Sequence, residues 1–211
     1  MSFELYLQVF GGLIIDLLIA HLLLFLVAFV AAAVLGVVFG ILVHRLRSLR
    51  VLVPVVNVLQ ATPEIVLLAI SIPLLGIGYT GALVPLFVKG VLPVMQNTTS
   101  GLHRVDETLK EAARGMGMSD MQVLFRVELS QAIPVIIAGM RVSAVMLVSV
   151  ITLTAYIGVE SLGTLILQGI ARMDANALFV GSGLAALIAI IFNQLLIWAE
   201  RYAARAVGAG K

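Results

Sequence analysis

Glu64 and Lys89 each stand inside a long apolar run. An ionisable side chain at membrane depth is costly enough that it faces either a cavity or an opposite charge. Two kinds of chemistry are open to them. Counted along antiparallel runs, they fall within about two to three helical turns of the same depth, which allows an intramembrane ion pair. In the other reading, Glu64 is a negative charge set in a pathway. Pro63, directly before Glu64, removes a backbone donor and bends or breaks its helix there. Arg141 is a long basic side chain near the inner end of the fourth apolar run, where it snorkels to the interface or touches the neighbouring polar segment. Glu160 stands in the turn "GVESLG" after that run. His21, His44 and His103 have no metal-ligand spacing and read as interfacial or solvated groups. The eight methionines read as packing. Since these polar groups make no recognisable set of nucleophile, paired acids or ligands, no catalytic residue, metal site or bound cofactor is expected.

The second region with chemistry is residues 97–131, the extended polar segment. "RVDETLKEAARGMG" favours a helix as far as Gly115, and Gly115 and Gly117 are stop signals. Ser119 and Gln122 are spaced as a capping box that opens a second short helix, "DMQVLFRVEL". In the first helix, Val105, Leu109, Ala112 and Ala113 share one side, leaving Glu107, Lys110 and Arg114 for the other. A short amphipathic pair of this kind suits docking against a partner.

The elements that must position these groups are set by composition. Of 211 residues, 62% are hydrophobic and 11% charged, and the mean hydropathy is +1.16. A water-soluble domain normally carries about a quarter charged residues, so this chain reads as an all-α integral membrane protein. Five runs are long enough for the ~20 residues a spanning helix needs. They are Leu22 to Val43, Val51 to Leu75, Ile77 to Met95, Ala132 to Gly158 and Ala177 to Ala199. Residues 1–20 read as an external, interfacial helix or as the start of a longer tilted first span, and the acidic approach argues against a cleaved leader. Ala32, Gly36 and Gly40 form a small-residue face suited to close helix contact. Pro54, Pro63, Pro73, Pro85 and Pro93 make spans two and three irregular. Arg45, Arg47, Arg50, Arg104, Lys110, Arg114, Arg126, Arg201, Arg205 and Lys211 all fall on one side, against Arg172 on the other. By the positive-inside rule the amino terminus is outside and residues 202–211 form a cytoplasmic tail. Tyr79, Tyr156, Phe179 and Trp198 read as interfacial anchors.

"EAA" at Glu111, Ala112 and Ala113, followed by Gly115, Gly117 and the later "VEL", resembles the coupling loop of ABC importer permeases. With "IPLLGIG", "PVIIAGMR" and "SLGTLILQGI", the stretch from about residue 20 to 201 is similar to the osmoprotectant permeases for glycine betaine, carnitine or choline. The resemblance implies a type I (MetI-like) permease fold over 21–201 in a bacterial inner membrane. It implies two ABC ATPase subunits holding ATP and Mg, a second permease copy or a related permease, and a separate external binding protein. The chain itself lacks a phosphate-cradling GxxxxGK[ST] and is expected to be a transporter subunit rather than an enzyme. No nucleic-acid partner is expected. Small Ala112 and Ala113 allow close approach, Gly117 makes the turn, and Glu111 pairs with a cation or caps a helix.

Four positions depart from the family pattern: Ser130 where a proline is usual, and the ionisable residues Glu64, Lys89 and Glu160. In a pathway, Glu64 would favour a quaternary ammonium cation. The alternative within the family is an amino-acid permease of the methionine type, and the alternatives outside it are a passive channel and a membrane-embedded enzyme.

Overall fold

Serine and aspartate side chains, at Ser2, Asp106, Ser119, Ser161 and Asp174, cap more than half of the helix starts among the described residues. A computed structural model describes residues 2–207, and the side chains of all of these except Arg47, Arg50 and Leu52. Lys211 and the end of the expected tail lie outside the described residues.

Helix α1 runs unbroken from Phe3 to Arg45, with Ser2 accepting from Leu5 N as its cap. The interfacial helix expected over residues 1–20 is therefore continuous with the first span: Gly11 and Gly12 are tolerated inside the helix, and no proline interrupts it. After a short 3-10 turn, the second apolar run is two helices, α2 (Leu52–Ala61) and α3 (Glu64–Leu75), bent by 103°. Thr62 and Pro63 make the break, Pro63 with the extended backbone typical of proline. Helix α4 (Tyr79–His103) extends past Met95, absorbing the first polar residues of the 97–131 segment. It is followed by α5 (Glu107–Gly115), a turn, α6 (Asp120–Gln122), a π-helical turn (Val123–Glu128) and α7 (Leu129–Leu153).

The second short helix of the polar segment is thus no separate element. From Asp120 to Ile157 the chain is a single 38-residue rod. Ser130 keeps its backbone N–H for the helix, and even Pro134, four residues on, lies inside it, so neither position ends the rod. Helix α8 (Leu162–Arg172), which the hydropathy pattern did not single out, and α9 (Ala175–Ala206), longer than the fifth run, close the fold as a hairpin.

Among the described residues, three helices can cross a bilayer by length and composition, or four when the bent α2–α3 pair is taken as one. Helix α4 has 25 residues, but Lys89 and the polar stretch Gln96 to Ser100 dilute its apolar character, so the expected count of five does not follow from helix composition alone.

The core is built around α4, which packs against both α1 and α7, while α7 packs against α9. A Cβ at Gly36 would overlap Val94, and one at Gly40 would overlap Thr98, so the small-residue face of α1 is what lets α4 approach. Phe25 and Phe192 join α1 to α9 edge to face at 4.5 Å. Proline in α4 is also accommodated locally. Pro85 leaves Gly81 O without its helical donor, and the buried Ser71 hydroxyl of α3 lies 2.6 Å from that oxygen.

Candidate functional site: a polar seam and the segment beneath it

The break between α2 and α3 creates a place for charge. Carbonyls in the last turn of a helix lack intrahelical partners and carry the negative end of the dipole. Lys89 Nζ of α4 lies 2.7 Å from Gln60 O at the end of α2, and 3.5 Å from Glu64 Oε1 in the first turn of α3. Glu64 in turn sits where the positive end of α3 favours an acid. Lys89 is nearly enclosed, its side chain 5% exposed, whereas that of Glu64 is 29% exposed. The two residues singled out in the sequence are thus brought together, and the carboxylate keeps an open side. Pro63, exposed in the break, fixes where α3 begins.

Below this pair, α2 and α4 continue side by side. Gln96 donates to Asn57 Oδ1, and Asn57, Gln96, Thr99, Ser100, His103 and Arg104 are among the residues lining a groove of about 510 Å³. Lys89, Gln96 and His103 repeat at seven-residue intervals and so lie on one face of α4, spanning about 21 Å. The sequence reading gave no role to Asn57 and Gln96. Their signal was a seven-residue polar spacing within otherwise apolar helices.

The α5 segment is shaped by local rules. Asp106 caps it by accepting from Thr108 N at 2.9 Å. At the other end Met118 N reaches Ala113 O and Gly117 N reaches Arg114 O, with Gly117 at φ +83°, the 6→1 and 5→2 pattern of a Schellman stop. The capping box is present, Ser119 accepting from Gln122 N and Gln122 Oε1 from Ser119 N at 2.8 Å.

The sides of α5 divide differently from the sequence reading, which set Ala113 with Leu109 and Ala112, and Lys110 with Glu107 and Arg114. Ala113 and Lys110 are buried, Lys110 with its ammonium 3.0 Å from Glu107. Leu109, Ala112 and Met116 are exposed along one face, with Met121 and Phe125 exposed beyond the turn. Lys110 can be buried because its ammonium is paired with Glu107, whose own side chain is 62% exposed. Glu111 is exposed, and its carboxylate makes no ion pair among the described residues.

His44, at the end of α1, holds Glu128 through Nε2 at 2.9 Å and meets His103 through Nδ1 at 3.2 Å. The sequence reading took the histidines as interfacial or solvated; His21 is instead fully buried in α1, and the meeting of His44 with His103 depends on α1 and α4 ending at the same level. Among the described residues no three His, Asp or Glu side chains converge as metal ligands. Arg141, its side chain 34% exposed, does not extend toward a charge on α5. It pairs with Glu200 of α9 at 3.5 Å, an acid on a helix remote in sequence. Glu160 is exposed in the turn before α8, where the neighbouring Ser161 caps that helix.

Comparison with known proteins gives this arrangement its context. A family profile described as "Binding-protein-dependent transport system inner membrane component" matches residues 32–208. The carnitine transport permease protein OpuCB of Listeria monocytogenes is 38% identical over 142 residues, 67% of this chain and 65% of that protein. The choline transport system permease protein OpuBB of Bacillus subtilis is 37% identical over 150 residues, 71% of this chain and 69% of that one. The aligned stretch thus spans about two thirds of these relatives' length. In fold, the chain is similar to a solved structure of the MetNI methionine ABC transporter in an inward-facing conformation, with a TM-score of 0.78 at 23% identity, covering 98% of this chain and 99% of that one. With the match covering most of its length and the helical arrangement agreeing, this chain belongs to the family of binding-protein-dependent transport system inner membrane components.

Proposed function

We propose that this chain is the permease subunit of an ATP-driven ABC importer, forming the pathway for a compatible solute or quaternary ammonium compound such as glycine betaine, choline or carnitine. The observation that carries the reading is α5. It is a short helix stopped at both ends by its own sequence, presenting Leu109, Ala112 and Met116 outward with the acid Glu111 beside them. An exposed apolar ridge of this kind fits a cleft on another protein. Two ATPase subunits receive it, carrying ATP and Mg, and the chain's own part is transport rather than catalysis. A second permease, identical or related, completes the pathway, and an external binding protein delivers solute. Five crossings, with the amino terminus outside and α5 in the cytoplasm, accord with the basic residues around α5. The names of the relatives support the substrate class, and Glu64 supplies a carboxylate for a quaternary ammonium group, which cannot itself donate hydrogen bonds.

The test is ATP hydrolysis in proteoliposomes holding this permease with its ATPase and binding protein, with glycine betaine, choline, carnitine and methionine supplied in turn. Stimulation by a quaternary ammonium compound is expected. Stimulation by methionine alone overturns the substrate but keeps the importer, and solute flux without ATP overturns both. Loss of uptake in Glu64→Gln with normal assembly is the result expected of a pathway role for Glu64.

A further inference from the structure

Three elements meet where α1 ends. His44 Nε2–H donates to Glu128 Oε2 at 2.9 Å, which leaves Nδ1 of the neutral ring as an acceptor, and His103 Nδ1–H donates to it at 3.2 Å. Arg45, the next residue of α1, donates to Asp120 O at 3.1 Å and to Met121 Sδ at 3.2 Å. The last turn of α1 therefore grips both ends of the 120–128 segment, which follows directly from the Schellman stop of α5. Between the grips lies the π-helical turn, a conformation in which a hydrogen-bond register shift is easy and which is frequent at functional sites. His103 in turn lines the inner end of the groove between α2 and α4.

We propose that the Glu128–His44–His103 hydrogen-bond chain is the linkage that carries movement of the α5 segment to the inner mouth of the groove, and that it breaks when both imidazoles are protonated. The proposal rests on the coupling role given to α5 above. Glu128 of the π turn, His103 of α4 and Lys110 of α5 face His44, and Arg45 adjoins it on α1. Among these only Glu128 is an acid, while the carboxylate of Glu107 is engaged with Lys110 and Arg114. One proton on the imidazole pair is balanced by Glu128. A second sets two N–H groups and two positive charges against each other across the 3.2 Å contact, with no acceptor left.

The experiment is uptake of radiolabelled glycine betaine per ATP hydrolysed, in proteoliposomes of the complete importer, from about pH 7.5 to about pH 5.5, the range in which imidazoles titrate. In wild type the ratio is expected to fall several-fold in acid. His44→Leu and His103→Leu are expected to show the lowered ratio already at the upper pH, with ATPase association unchanged. His103→Asn, whose amide N–H replaces the Nδ1 donor without titrating, keeps the high ratio across the range, and this separates the linkage from pH effects on the partners. A pH-independent ratio in wild type, a His103→Asn profile identical to wild type, or Leu variants equal to wild type would overturn the proposal. Should the Leu variants fail to assemble, wild type and His103→Asn decide it. Absence of ATP-driven glycine betaine uptake in wild type is a failure of the substrate reading instead, and the ratio is then read with whichever of choline, carnitine or methionine stimulates hydrolysis.

Discussion

Gly81 O and the Ser71 hydroxyl are a repair made necessary by Pro85, and repairs of this kind can be tested by removing the damage as well as the patch. Ser71→Ala leaves a buried carbonyl unpaired, with an expected cost of about 1–3 kcal/mol in thermal unfolding of the solubilised protein. In a Pro85→Ala background the helical N–H returns to Gly81 O, and Ser71→Ala is expected to cost much less. Lys89 and Glu64 behave as a second unit. Lys89→Met strands the carboxylate beside an uncapped α2, and Glu64→Gln strands an ammonium that is almost fully enclosed. Each single change is expected to destabilise by about 1–3 kcal/mol, less than for a fully buried pair because Glu64 is partly open. Changing both residues is expected to recover part of the loss. Purely additive losses in the double-mutant cycle would show that the two side chains do not act on each other.

Among the elements, α1 and α4 touch through backbone where Gly36 and Gly40 stand. Gly40→Val, whose side chain would overlap Thr98, is expected to separate the helices at a cost of about 1–3 kcal/mol in the same unfolding assay. The glycines of α5 are not equivalent. Gly117→Ala forces a side chain into φ +83° and is expected to cost about 1–2 kcal/mol, while Gly115→Ala, with open space around it and ordinary helical backbone, is expected to be neutral or mildly stabilising. The Glu107 carboxyl is held below its usual range by hydrogen bonding to Lys110 and, more weakly, to Arg114. Its contribution is therefore present above the unfolded-state value and disappears as pH falls through the folded one. The protection factors of residues 107–117, in which the intrinsic pH dependence of amide exchange is divided out, are expected to fall in acid for this reason, and less so in Glu107→Gln. Much at this scale was legible in the sequence, including the small-residue face, the Gly117 stop and the Ser119 box, because each depends on neighbours within a few residues. The burial of Lys110 and the exposure of Leu109 were not, since periodicity gives the faces of a short helix without saying which one meets the core. The continuity of α6 into α7 was hidden too, because polar residues over one and a half turns look like a boundary when the helix merely crosses one.

For the molecule as a whole, hydropathy identified a membrane protein and its broad order of helices, but not the meeting of His44, His103 and Glu128, nor of Arg141 with Glu200, which are set by where distant helices end. The absence of cysteine from the sequence makes sidedness simple to test. Cysteine placed at Met173, between α8 and α9, is expected to react with a membrane-impermeant maleimide in intact cells, and cysteine at Met116 only after the membrane is opened. The reverse pattern would invert the proposed orientation. The unbroken helix from Asp120 to Ile157 is about 57 Å long at 1.5 Å per residue. One of its ends belongs to the segment beneath the groove and the other to the turn leading to α8. A bar of that length packs along α4 from Ala132, beside Gly101, to Leu147, beside Gly90, so a tilt of about 5° about its centre, displacing its two ends by about 2.5 Å in opposite directions, carries α4 with it. The two faces of the membrane are thereby joined by a single covalent lever, so that a push on one is a pull on the other.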